Sequence, residues 1–210
     1  GALFTNGDPT GETSNQVGGV DLKLATSNFL GREKNLSLML FGSKTRTNGV
    51  EGGDTSFGGE IAYPNDLLSL SQKWIKIGEN YNPALGFVPR RGVRIASTSA
   101  ELSPRPKFLG LRRMSFEFGY NDYYSLAQRA SETKEIQLTP FQWQFNSGEM
   151  VNYEWSWNRE QLFEPWDIVE GVILPAGAYK FNTHSVRANT SQGRPVSAEF
   201  EFATGSFFSG

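Results

Sequence analysis

The chain of 210 residues contains no cysteine and a single histidine, His184. Without cysteine there are no disulfides, no thiolate metal ligands and no cysteine nucleophile. The sequence has one histidine and no acidic loop with the spacing of a calcium site, so we expect no metal centre. It also contains no cofactor motif. No catalytic constellation stands out, so the sequence does not predict an enzyme.

Long apolar runs and runs of like charge are missing as well. No stretch approaches the roughly 18 consecutive apolar residues that a transmembrane helix requires. The net charge is −2 and lysine and arginine form no long run, which argues against a nucleic-acid partner.

What the sequence has in abundance is alternation. Val20, Leu22 and Leu24 alternate with Asp21 and Lys23, the period of a half-buried strand. The pattern recurs in residues 35–44, 56–63, 67–77, 112–120, 135–145, 150–158, 178–187 and 196–205. We therefore predict an all-β fold, an antiparallel up-and-down meander of about ten strands within a single domain over residues 1–210. The phase slips at Pro140, which predicts a bulge or bend.

Two architectures fit this alternation. In a soluble β-sandwich or lipocalin-like binding module the apolar face is a dry core, whereas in an outer-membrane-type β-barrel it contacts lipid. Aromatic residues make up 13% of the chain and crowd the apolar positions, which favours the barrel. In both cases one face should carry Phe116, Phe118, Tyr153, Trp155, Phe200 and Phe202, and the other Glu117, Glu154 and Glu201.

The segment Gly78–Gly92, "GENYNPALGFVPRRG", breaks the alternation. Its prolines remove ladder donors, so we expect an ordered loop without strand structure. Phe87 should be buried, and one of the nearby arginines should pair with a carboxylate, for which Glu79, Glu101 and Glu117 are candidates. The loop is either a constriction or ligand contact, or a latch that braces the wall, which we favour. Its candidate ligand-binding or lumen residues are Glu79, Asn80, Asn82, Phe87, Arg90, Arg91 and Arg94.

Two weaker candidates lie further along the chain. Trp157, Phe163 and Trp166 could form a platform on which a sugar stacks, or a belt of aromatic residues at a membrane interface. His184 falls in phase with Lys180, which predicts a place on the polar face. A barrel hydrolase that uses His184 or paired carboxylates is the third functional hypothesis.

The stretch "IGENYNPALGFVPRRGVR" resembles a segment that marks a family of bacterial outer-membrane β-barrel proteins. These proteins usually carry an N-terminal module like the family-nine carbohydrate-binding domains, and their barrel is a domain of unknown function. The matching residues are Gly78, Glu79, Asn80, Asn82, Pro83, Gly86, Phe87, Pro89 and Arg90. The stretches "EPWDIVEGVILPAGAYKF" and "RPVSAEFEFATGSFFSG" resemble the same barrel, and the resemblance extends from about Val17 onward.

The resemblance implies a location in the bacterial outer membrane, the alternative being a periplasmic or secreted protein. It implies a role in envelope transport or surface binding, with the lipid bilayer and carbohydrate as partners. The family's proteins are much longer, and the end "GSFFSG" lacks the aromatic terminus of a final barrel strand. We therefore expect an internal fragment of a larger barrel, with the remainder of that barrel as a further partner.

Overall fold

The computed structural model describes residues 1–8, 11, 14–169 and 171–206. The final residues of "GSFFSG", 207–210, lie outside this part of the chain. Within it, extended backbone alternates with short turns, and one 3-10 helix spans Phe29–Gly31. None of the described helices is long and apolar enough to span a bilayer. The strands are β1 (Ala2–Asn6), β2 (Asn15–Thr26), β3 (Leu36–Thr47), β4 (Thr55–Pro64), β5 (Leu68–Ile77), β6 (Val93–Leu102), β7 (Leu111–Ser125), β8 (Ala130–Phe145), β9 (Met150–Leu162), β10 (Trp166–Val169), β11 (Val172–Leu174), β12 (Gly177–Asn189) and β13 (Glu199–Gly205).

Eleven of these strands form one sheet in the order of the sequence, from β1 through β9 to β12 and β13. Strands β10 and β11 form a separate antiparallel hairpin. The all-β antiparallel meander predicted from the alternation is confirmed, with eleven strands in place of about ten. The order is linear, with β1 and β13 at its two ends.

The chain divides into two compact units, each assembled from separate stretches of sequence. Unit 1 comprises residues 1–63, 71–97 and 122–131, and unit 2 comprises residues 64–70, 98–121 and 132–210. The single domain inferred from the sequence remains a prediction.

In unit 1 the register of β2, β3 and β4 gives each strand an apolar and a polar side. Leu24 lies opposite Leu38, which lies opposite Ile61. Directly opposed residues of an antiparallel pair share a face, so these positions define the apolar face of unit 1. Ser43 and Ser56 are likewise opposed and lie on the other side, the polar face of unit 1.

In unit 2 the same argument aligns the aromatic residues. Phe141, Tyr153, Val186 and Phe202 follow one another across β8, β9, β12 and β13. This side is the apolar face of unit 2. On its polar face, Asn152, Arg187 and Glu201 are opposed, and Arg187 donates to Glu201 at 2.8 Å.

Strand β7 continues this arrangement. A Cβ placed on Gly119 would lie 3.5 Å from the Cβ of Gln137. Gln137 precedes Leu138, which is opposed to Trp155 on the apolar face, so Gly119 belongs to the polar face. Its neighbours at 116 and 118 are then phenylalanines of the apolar face. The predicted division of aromatic residues and glutamates between two faces is confirmed.

The register of β8 and β9 shifts between Leu138 and Phe141, where two residues of β8 stand against one of β9. This irregularity confirms the bulge or bend predicted at Pro140. Proline cannot donate to the ladder, so a bulge is one of the few places where a strand accepts it.

Burial runs against the pattern of a soluble protein. The described residues with the least exposed surface include many small polar ones: Asn15, Thr45, Ser56, Ser103, Ser115, Ser125, Thr133 and Thr139. Large apolar side chains of the strands are exposed, among them Leu22, Leu24, Phe57, Ile61, Phe116, Phe118, Phe200 and Phe202. Among the described residues, Ile77 at the end of β5, Val93 at the start of β6 and Tyr81 between them form a cluster of buried apolar side chains.

Candidate functional site

The segment Gly78–Gly92 connects β5 to β6 without strand structure, as predicted. Its first residues are fastened to the chain before β4. The backbone amide of Gly78 donates to the carbonyl of Thr55 at 2.9 Å, and that of Asn80 donates to Gly53 at 2.9 Å. The side-chain amide of Asn80 adds a bond to the carbonyl of Gly52 at 3.0 Å. A Cβ on Gly78 would lie 2.0 Å from the Gly53 carbonyl oxygen, so only glycine permits this approach.

The middle of the loop lies on the polar face of unit 1. The hydroxyl of Tyr81 is 2.8 Å from Ser43 Oγ, and the backbone amide of Asn82 donates to Thr45 Oγ1 at 3.1 Å. Thr45 is opposed to Val17, whose side chain is also buried. The loop thus covers polar side chains of β3 that the alternation of the strand turns to this side.

Asn15, the first residue of β2, is the principal anchor of the loop. Its Nδ2 donates to the Asn82 carbonyl at 2.8 Å and to Thr47 Oγ1 at 2.9 Å. Its Oδ1 accepts from the backbone amide of Ala84 at 3.3 Å. The residue is 2% exposed. One carboxamide therefore satisfies two backbone groups of a segment that has no strand partner of its own.

The apolar contacts of the loop differ from the prediction. Val88 packs against the cluster of Ile77, Tyr81 and Val93. Phe87 was expected to be buried but is 88% exposed, so that prediction is wrong. Pro89 favours an extended conformation at Val88, and neighbouring side chains of extended backbone point to opposite sides. Because Val88 faces the cluster, Phe87 faces away from it.

The arginines of the loop bind aromatic rings and an amide. The guanidinium of Arg94 lies 4.4 Å from the ring centroid of Tyr124, and that of Arg90 lies 4.9 Å from the centroid of Tyr123. Arg91 donates to Asn82 Oδ1 at 2.7 Å. No ion pair among the described residues involves Arg91 or Arg94. That at least one of Arg90, Arg91 and Arg94 pairs with a carboxylate stays a prediction.

Two of the carboxylates proposed as partners, Glu101 and Glu79, have other neighbours in the structure. Glu101 of unit 2 accepts from Arg113 Nη2 at 2.6 Å. Glu79 lies at the closure of the loop, where a Cβ on Gly92 would come within 2.9 Å of its Cγ. The backbone amide of Gly92 donates to the carbonyl of Gly78 at 3.3 Å, which ties the two ends of the loop together.

The three residues of the proposed aromatic platform belong to different elements. Trp157 lies on the apolar face of unit 2, opposite Ile136 and Asn182. Phe163 lies in the turn after β9, and Trp166 begins the β10–β11 hairpin with 46% of its surface exposed. A shared stacking surface remains a prediction.

His184 lies on the apolar face of unit 2, opposite Trp155, and the predicted place on the polar face is wrong. Its Nδ1 is 2.8 Å from the hydroxyl of Tyr153, and the two rings stack with centroids 6.2 Å apart. Lys180 shares its face, as the parity of β12 requires. Both faces of β12 mix polar and apolar residues, so its sequence alone does not tell which one is apolar.

Sequence reasoning missed Asn15, Ser43 and Thr45, the groups that hold the loop. For Ser43 and Thr45 the sequence offers one hint. Small polar residues occupy successive positions on one face of β3, while leucines occupy positions on its other face. The described residues contain no group of three histidine, aspartate or glutamate side chains placed to hold a metal ion.

The chain matches no family model, no curated protein and no solved structure.

Proposed function

We propose that this chain is a segment of a bacterial outer-membrane β-barrel with a role in envelope transport or surface binding. The observation that carries the proposal is the inverted burial of the strands. Water is a poor solvent for rows of phenylalanine and leucine, and each such side chain forgoes about 1.5–3 kcal/mol when it is left in water instead of being buried. Lipid removes that cost without a protein core.

The hydrogen-bonding side chains support the same reading. Serine, threonine and asparagine are among the least exposed residues on the polar faces, where they bond to one another and to the loop. Ser103 and Ser115 of unit 2 lie 2.9 Å apart, and both bond to Glu101. A soluble sandwich would place its leucines and phenylalanines at such positions.

A row of cations next to the aromatic residues adds a second support. Lys134, Arg159 and Lys180 are opposed on β8, β9 and β12, on the apolar face of unit 2. The next opposed row on that face contains Trp157. At the boundary between the acyl chains and the anionic head groups of a membrane, tryptophan is commonly found next to lysine and arginine.

The loop Gly78–Gly92 serves this function as a latch. It occupies the polar face of unit 1, and its arginines are engaged by Tyr123, Tyr124 and Asn82 within the same unit. These contacts of the arginine side chains hold the loop in place. In a barrel whose polar face lines the lumen, a loop held there also narrows the passage.

Carbohydrate is the partner that the family resemblance suggests for a surface site, and the exposed indole of Trp166 is the specific feature that favours it. Titration of the chain with oligosaccharides should change tryptophan fluorescence, and Trp166→Ala should abolish that change. An equal response in the variant would remove the hairpin from the binding surface.

The membrane proposal can be tested with tryptophan fluorescence in vesicles. The chain has five tryptophans. A variant that keeps Trp155 alone, with phenylalanine at the other positions, should be quenched by phospholipids brominated on their acyl chains. The matched control carries Ser156→Trp as its only tryptophan, one position along β9 on the polar face, and should be quenched far less.

The rival architecture gives a different result. A soluble β-sandwich or lipocalin-like module would stay in solution without detergent, and brominated lipid would leave Trp155 unquenched. That outcome would refute the proposal. A His184→Ala variant tests the hydrolase hypothesis. Only that hypothesis requires the imidazole, so it predicts that the variant loses turnover of a lipid or glycoside substrate.

A further inference from the structure

A polar cavity of about 290 Å³ opens among the strands of unit 2. Its walls include the side chains of Ser69, Glu101, Glu117, Gln137 and Thr139. The volume lies at the lower end of the range of ligand pockets, about 300–1,000 Å³, which suits a single small polar ring. Most of its lining residues carry side chains that accept or donate hydrogen bonds, and the rest are Ala100, Phe118 and Gly119.

One side of the cavity is rigid. Glu101 accepts from Arg113 Nη2 at 2.6 Å, from Ser103 Oγ at 2.5 Å and from Ser115 Oγ at 3.2 Å. These bonds hold the carboxylate in one orientation and balance its charge with a guanidinium. Glu101 is therefore a fixed wall of the cavity.

Three of the remaining polar side chains of the cavity are unused. In the part of the chain that the structure describes, Glu117, Gln137 and Ser69 have no hydrogen-bond partner for their side chains. Together they offer carboxylate oxygens, a carboxamide with both donor and acceptor, and a hydroxyl. All three lie on the side of their strands that bounds the cavity.

Thr139 lines the same cavity and is 5% exposed. Its hydroxyl is not among the enclosed polar atoms without a partner, which in the described residues are Arg113 Nε, Asp122 Oδ1 and Asn152 Oδ1, so the cavity leaves it accessible to water or to a ligand. The bulge between Leu138 and Phe141 places Thr139 at the cavity wall, and bulges commonly redirect a side chain toward a site.

We propose that this cavity binds a neutral, hydroxyl-rich small molecule, one sugar ring in size. A sugar hydroxyl donates and accepts at once, so it can donate to Glu117 while it accepts from Gln137 and Thr139. A cation would satisfy the carboxylate and leave those donors unmatched. The choice of ligand class rests on the proposed surface-binding function, while the site itself rests on the cavity.

Saturation-transfer difference NMR on the 210-residue chain in detergent micelles tests the site. The probes are the methyl glycosides of glucose, galactose, mannose and N-acetylglucosamine, with putrescine as a cationic comparison and calcium chloride added as a competitor that would displace a bound glycoside. At least one glycoside should bind, and Thr139→Val and Glu117→Gln should each weaken it about tenfold, because the first removes a hydroxyl and the second replaces a charged acceptor with a weaker neutral one. Glu199→Gln, which changes a carboxylate on the same polar face at β13 and outside the cavity, is the matched control and should bind like the parent chain.

Each outcome has a defined meaning. Absence of binding by every glycoside, equal binding in the Thr139 and Glu117 variants, tighter binding of putrescine, or displacement of the glycoside by calcium would overturn the proposal. Quenching of Trp155 by brominated lipid is measured in parallel, in vesicles, on the variant that keeps Trp155 as its single tryptophan. Quenching without glycoside binding refutes this site alone, whereas glycoside binding without quenching supports the site and refutes the membrane location.

Discussion

Removal of the Asn15 side chain should release the loop Gly78–Gly92 from the polar face of unit 1. Asn15→Ala deletes three hydrogen bonds, to the Asn82 carbonyl, the Ala84 amide and Thr47 Oγ1. At about 1 kcal/mol for each hydrogen bond, the free energy of unfolding should fall by about 3 kcal/mol. With a urea slope of roughly 2 kcal/mol per molar, the unfolding midpoint should move by about 1.5 M.

Hydrogen exchange locates the effect and Asn48→Ala controls for it. Asn48 lies exposed in the turn after β3, so its variant should stay within about 0.5 kcal/mol of the parent chain. In Asn15→Ala the amides of Asn82 and Ala84 should exchange faster, while those at the centre of β9 should keep their protection. Unchanged stability together with unchanged exchange of the loop amides would refute the latch and reduce the loop to a connector.

Three further tests, with four substitutions, concern the loop and one turn. Gly92→Ala forces a residue with a side chain into a backbone with φ of +66° and should lower the unfolding free energy by about 1–2 kcal/mol; an unchanged urea midpoint would contradict this. Tyr124→Leu should cost about 1 kcal/mol by removing the ring under Arg94, and Arg94→Gln should add little in that background, which a double-mutant cycle measures. The side chain of Ser147 holds the pKa of the Glu149 carboxyl below its ordinary 4.5, so its stabilisation is complete above that value and lost as pH falls through the lowered pKa. A Glu149→Gln chain should therefore differ from the parent near neutral pH and converge with it in acid.

The alternation of the sequence was sufficient for the fold class and for the faces of most strands. Period-2 patterns follow directly from the geometry of extended backbone, so Tyr153 and Trp155 could be assigned to one side of β9 without a structure. The slip at Pro140 was equally readable because proline lacks a ladder donor. The side of His184 was not readable, since β12 carries aromatic residues at 179 and 181 on one side and Val186 on the other.

The contacts of the loop were outside the reach of the sequence. Gly78, Pro83 and Pro89 indicate that the backbone leaves the hydrogen-bonded ladder of the sheet. They do not indicate which surface the loop then packs against. That surface depends on Asn15 and Thr45, which precede the loop by more than thirty residues. The wrong prediction for Phe87 has the same origin. Hydrophobicity alone makes Phe87 a better candidate for burial than Val88, but the direction of the backbone decides which of the two side chains faces the cluster.

The polar faces of the two units differ in how far their side chains are satisfied by hydrogen bonds within the chain. On the polar face of unit 1, Ser43, Thr45 and Asn15 are satisfied by the loop, and that surface therefore has its partner already within the chain. On the polar face of unit 2, Glu117 and Thr139 line a cavity with no partner among the described residues. Buried polar groups persist in folded proteins when something bonds to them. The loop meets that requirement on unit 1, whereas the open polar groups of the cavity on unit 2 are the ones that the proposed ligand would use, and the Asn15 and Thr139 variants test the two roles separately.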